Sequence, residues 1–145
     1  MPNWVIHSKW TDKAKIDRLI ANYVNQNIDY GTEWAFSKEA RNNGDEEESN
    51  ASRQLKFFYK KDIEKQYSNE KLYVKAFYMH HLLDFLKETR LNTRDLDIVF
   101  AKFLNKKVQS EIIDENGDYI NFMNEINEIF ALLKENQDKL IEDLL

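Results

Sequence analysis

Cysteine is absent from this chain, so a disulfide scaffold, a thiolate metal centre and a cysteine nucleophile are all excluded. One proline and three glycines in 145 residues are too few to turn the many corners of a sandwich or barrel, and no Gly-rich phosphate loop can be built from them. Nor is there a long apolar run: no stretch approaches the twenty or so residues that cross a bilayer, and the N-terminus lacks the basic-then-apolar layout of a secretory leader. These absences lead us to expect a cytoplasmic, all-α protein. Its length is that of one domain, large enough to bury a core without covalent staples.

What the chain does have is unevenly placed charge. The net charge is −5, but residues 51–76 carry seven basic against three acidic side chains, whereas residues 111–145 carry ten acidic against two basic. Partner choice follows the local field, which reaches about 10 Å, more than the sum. The expectation is therefore a basic middle and an acidic end on one body.

Apolar periodicity divides residues 1–145 into a single bundle of five to six helices. The first ten residues, with Trp4, Val5, Ile6 and Trp10, are apolar enough to pack back on the body. Thr11 can cap a first helix to about Asn27 whose stripe is Ile16, Leu19, Ile20, Tyr23 and Val24. Thr32 can cap a second helix through Trp34, Ala35 and Phe36, stopped near Gly44, and the four acids that follow make residues 45–50 a loop. A third runs from Ala51 to Tyr67 with Leu55, Phe58, Tyr59 and Ile63 inward. A fourth is capped by Ser68 or Asn69 and reaches Thr89, with Leu72, Tyr73, Ala76, Met79, His80, Leu83 and Leu86 as its stripe. Asn92 or Thr93 opens a fifth, with Leu96, Val99, Phe100 and Phe103 inward. The last starts near Asp118 and keeps Phe122, Met123, Ile126, Ile129, Phe130 and Leu133 together. Asn116-Gly117 between apolar residues is a hairpin signal, so a short hairpin near residues 108–120 is the alternative there.

Three groups of residues could carry chemistry. Asp114 to Tyr119, with Glu125 beyond, resembles the opening of a calcium loop, but Tyr119 stands where that loop needs glycine, so a plain polar turn is expected. His80, Asp84 and Glu88 share a helix face at i, i+4 and i+8, while His80 and its neighbour His81 point about 100° apart; a packed histidine beside a carboxylate is the expectation, with neither metal nor cofactor. No strained serine elbow, metalloprotease motif or ribonuclease-type Arg-to-His spacing occurs, so no catalytic residue is assigned and no enzyme is expected. The third group is a row of cations, Arg53, Lys56, Lys60, Lys61 and Lys65, interleaved with Phe57, Phe58 and Tyr59. The first four fall on one helical face, where they could neutralise successive phosphates.

The run Ser52, Arg53, Gln54, Leu55, Lys56, Phe57, Phe58 resembles a motif of the small helical subunit of type III CRISPR RNA-guided effector complexes, in which Gln, an aliphatic residue, a basic residue and aromatics open a long helix. Tyr30, Glu33, Trp34, Ala35, Lys38 and Ala40 are similar to that family's preceding helix, and Phe122, Glu125, Ile129 and Leu133 to its closing one. The acidic residues 45–50 and the acidic C-terminal stretch depart from its usual basic character. The resemblance implies a non-catalytic scaffold of antiviral defence that stacks with other subunits or with itself and touches the guide–target RNA backbone through Arg53, Lys56, Lys60, Lys61 and Lys65, with Lys102, Lys106 and Lys107 at the margin. Such contacts position the RNA and do not read its sequence. No membrane and no small-molecule substrate enter this expectation. The alternative is an acidic helical protein of immunity-protein kind that docks or neutralises a basic partner through Glu111 to Asp118 and Glu125 to Glu142.

Overall fold

The computed structural model describes residues 4–30, 50–65, 70–89, 96–106 and 110–144. These residues form seven helices and one hairpin: α1 (Trp4–Lys13), α2 (Arg18–Tyr30), α3 (Asn50–Lys65), α4 (Leu72–Thr89), α5 (Leu96–Lys106), β1 (Glu111–Ile113), β2 (Tyr119–Asn121), α6 (Met123–Glu135) and α7 (Gln137–Leu144). The helix expected through Trp34 to Phe36 and the acidic loop at 45–49 lie outside the described residues.

α4 is the axle. Its sequence is apolar on nearly every side, which suits a helix surrounded by others, and α1, α2, α3, α5 and α6 all pack against it. The expected stripe therefore undercounts its buried surface: Val74, Phe77, Tyr78, Leu82 and Phe85 are buried as well. Leu55 and Phe58 of α3, Val99, Phe100 and Phe103 of α5, and Ile126, Ile129 and Leu133 of α6 complete the core on the faces their spacing indicates.

The start of the chain differs from expectation. A helix already occupies Trp4–Lys13, and Thr11 lies inside it, buried, with its hydroxyl donating to the carbonyls of His7 and Ser8 instead of capping a helix start. The helix ends because Lys15 adopts φ 60°, letting Lys15 N–H reach Asp12 O at 3.0 Å and Ile16 N–H reach Thr11 O at 3.0 Å. This paired closure usually has glycine at the left-handed residue, so a lysine there carries no punctuation in the sequence. Asp17 then caps α2, accepting from Leu19 N–H at 2.8 Å. Leu19, expected inward, faces out and is 80% exposed.

A second left-handed residue, Lys71 at φ 50°, precedes α4. The expected caps Ser68 and Asn69 lie outside the described residues, and α4 begins at Leu72. Its orphan N–H groups are satisfied from α3: Tyr73 N–H donates to Asp62 Oδ1 at 2.9 Å and Val74 N–H to Asp62 Oδ2 at 3.0 Å. Asp62 takes the inward position that apolar spacing assigned to Ile63, which is 56% exposed.

Over the described residues 110–121 the hairpin alternative holds. Ile112 pairs with Ile120 and Ile113 with Tyr119, so the helix expected to start near Asp118 begins only at Met123. Asp114 organises the turn, accepting from Asn116 N–H at 2.9 Å and Asp118 N–H at 2.8 Å through Oδ1, and Gly117 sits at φ 81°. Nothing lies within 4 Å of where a Gly117 Cβ would stand, so strain of the backbone is the whole cost of adding one. Gly117→Ala should lower stability by about 1 kcal/mol, read by urea denaturation, with no change in the helical circular-dichroism signal. The expected last helix is also divided at Asn136, whose side chain donates to Leu132 O at 2.8 Å.

Candidate functional site

The cationic row lies on α3, the helix that the hairpin overlies. Lys56 is exposed. Lys60, one turn further on, is 58% exposed and pairs at 3.2 Å with Glu115, itself 83% exposed at the hairpin turn. Between two such solvated groups an ion pair is worth about 0–1 kcal/mol, so a phosphate can displace the carboxylate. Lys61 is held more closely: its ammonium lies 5.4 Å from the Phe57 ring centre and 6.0 Å from that of Tyr23, with Glu64 at 3.9 Å. Its ammonium rests over aromatic surface, and its side chain is 30% exposed. Arg53 and Lys65 belong to α3, but their side chains lie outside the described residues, as does that of Lys106 on α5 and the whole of Lys107. Lys102 is exposed on α5, a different helix.

The acidic end is divided. Glu115, Asp118, Glu135, Asp138 and Glu142 are exposed, whereas Glu125 is buried and bound at 3.1 Å to Lys71. Near it the Asp62 carboxyl is pushed up to about 6, because burial outweighs the two backbone N–H bonds and the Lys71 charge that favour ionisation. Burial, with Glu125 adding to it, likewise raises the Tyr78 hydroxyl far above its ordinary value.

The i, i+4 spacing of His80 and Asp84 brings them together as expected, but Glu88 does not join them and His81 turns away to Gln54, Nε2 to Oε1 3.0 Å. The third member is His7 of α1. Its Nε2 lies 3.2 Å from Asp84 Oδ1, and His80 Nε2 lies 3.3 Å from Asp84 Oδ2. Both histidines are fully buried, and their rings stack with centres 4.2 Å apart and planes 6° from parallel. Asn25 of α2 closes the group, its Oδ1 2.7 Å from His80 Nδ1. Burial works against an ionised Asp84, yet the two imidazoles hold its carboxyl well below the usual carboxylate range. Reading the first helix from Trp4 instead of Thr11 would have placed His7, Trp10 and Thr11 on one inward face at i, i+3 and i+4.

Among the described residues no helix is long and apolar enough to cross a membrane. The chain matches no protein-family model, no curated protein and no solved structure.

Proposed function

We propose that this chain is a non-catalytic binding protein whose helix α3 contacts the phosphate backbone of RNA, in the manner implied by its resemblance to the small helical subunit of type III CRISPR effector complexes. The observation that carries this reading is the pair Lys56 and Lys60. Both are exposed, they stand one turn apart on a rigid helix, about 6 Å along its axis, and the carboxylate seen on Lys60 is a weak competitor. Lys61, packed over Phe57 and Tyr23, adds positive potential at the edge of the same face.

Single-stranded RNA binding at a series of salt concentrations tests the proposal. The double substitution Lys56→Glu and Lys60→Glu should weaken binding at least about ten-fold at low salt. It should also make the log–log salt dependence shallower by about 1.4, the share of two phosphate contacts on a single strand. Both positions are solvated, so the melting temperature should hardly move. Glu115→Gln, which releases Lys60, should tighten binding up to about five-fold. Absence of RNA binding by the unmodified chain at low salt would remove the reading and leave the alternative, a protein partner docked on the acids of α6 and α7, favoured by the exposure of Glu135, Asp138 and Glu142.

A further inference from the structure

We propose that His7, His80 and Asp84 bind a divalent transition-metal cation of the zinc or cobalt type, which ties α1 to α4. Each of the three residues offers a ligand atom, and those atoms lie within 4.8 Å of one another. The Nε2 atoms of His7 and His80 lie 3.2 and 3.3 Å from the two different oxygens of the Asp84 carboxylate, close to the about 3.4 Å that separates two ligand atoms on a tetrahedral ion with bonds of about 2.0–2.1 Å. Two imidazoles and one carboxylate are the donors that zinc, cobalt and iron(II) take up. Calcium and magnesium ask for an oxygen shell that this group does not supply.

The surroundings point the same way. Asn25 Oδ1 lies 2.7 Å from His80 Nδ1, and with the imidazole proton on Nδ1 the His80 lone pair falls on Nε2, the atom aimed at Asp84. An outer carbonyl that fixes the tautomer in this way is the usual companion of a metal-bound histidine. No hydrogen bond reaches either ring nitrogen of His7 or Asp84 Oδ1, all three of them buried, although 3.2 Å separates His7 Nε2 from that oxygen. Buried polar atoms left this way are costly, and a bound ion would satisfy His7 Nε2 and Asp84 Oδ1 together. Protonating both histidines instead would stack two like charges face to face at 4.2 Å. In-plane bonds to both nitrogens require the rings to open from their parallel arrangement towards the ion. Asp84 is 19% exposed, which gives an ion a way in from solvent.

The experiment uses the untagged chain after dialysis against a chelator. Co2+ should give visible d–d absorption that saturates at one ion per chain and is displaced by Zn2+. Zn2+ at a hundred times its Kd should raise the melting temperature by about 8 °C. Asp84→Asn and His7→Gln should abolish both responses, while His81→Gln, altering the imidazole held by Gln54, should leave them intact. Lack of stoichiometric Co2+ absorption in the unmodified chain, or responses that survive Asp84→Asn and His7→Gln, would overturn the proposal. Should either variant fail to fold, imidazole 15N shifts of the unmodified chain decide: Zn2+ must move the Nε2 signals of His7 and His80 and not those of His81.

Discussion

Replacing Phe122 by Ala is expected to lower stability by about 3–5 kcal/mol, the usual cost of emptying a fully buried aromatic site. Phe122 is 0% exposed and lies at the join between β2 and α6. Its ring meets Tyr59 of α3 edge-on at 5.4 Å and Tyr78 of α4 at 6.4 Å, and the Lys71 ammonium stands 6.0 Å away. Its N–H donates to Ser110 O at 2.8 Å, just beyond the β1 end of the ladder. One side chain thus pins the hairpin, the end of the β ladder and the start of α6 to the α3–α4 pair. For a chain of this length the melting temperature should fall by roughly 10–15 °C. Hydrogen exchange should show the hairpin amides opening before those of α4. A loss under about 1 kcal/mol by urea denaturation would mean that the hairpin is held by something other than this ring.

The second large effect is expected at Asp62. Asp62→Ala leaves Tyr73 N–H and Val74 N–H, both in buried bonds, without acceptors, and at pH 5 should cost about 2–4 kcal/mol. Asp62→Asn should cost less, since its amide oxygen can still accept. The same residue predicts a pH dependence. With the folded carboxyl raised to about 6 above its ordinary value near 4, the native chain holds a proton that the unfolded chain has released. Its contribution to stability is present in full below pH 4 and is lost as pH rises through 6, by an amount on the order of 1–3 kcal/mol. Urea titrations from pH 4 to 7 should therefore show this slope in the unmodified chain and its loss in Asp62→Asn.

Asp62 also explains where sequence reading succeeds and where it stops. Leu96, Val99, Phe100 and Phe103 are legible because their helix has one apolar side, which it buries against Phe85 of α4 and Phe130 of α6. On α3 the inward row is Leu55, Phe58 and Asp62, and a search for apolar residues passes over the aspartate in favour of Ile63. The reason Asp62 points inward is the buried N-terminus of another helix, whose first N–H groups need an acceptor, a tertiary demand that no local pattern carries. The breaks at Lys15 and Lys71 are hidden for a related cause, since the residue type does not announce the left-handed backbone.

The candidate sites divide along the same line. Spacing alone aligns Lys56 with Lys60 and His80 with Asp84, because each pair stands one turn apart on its own helix. The glutamate across from Lys60, the aromatic seat of Lys61 and the histidine from α1 come from distant positions, and only packing reveals them.

Asp143 of α7 receives both the Lys9 ammonium, at 3.0 Å, and the Trp10 indole N–H, at 3.1 Å, so α1 is completed by a residue of α7. While the polypeptide emerges from the ribosome, that indole is denied its acceptor until Asp143 has been made. The contact spans 133 positions in a protein otherwise rich in neighbouring-helix packing, so its closure belongs to the late, slow part of folding. Until then that N–H, buried in the finished protein, is left to water.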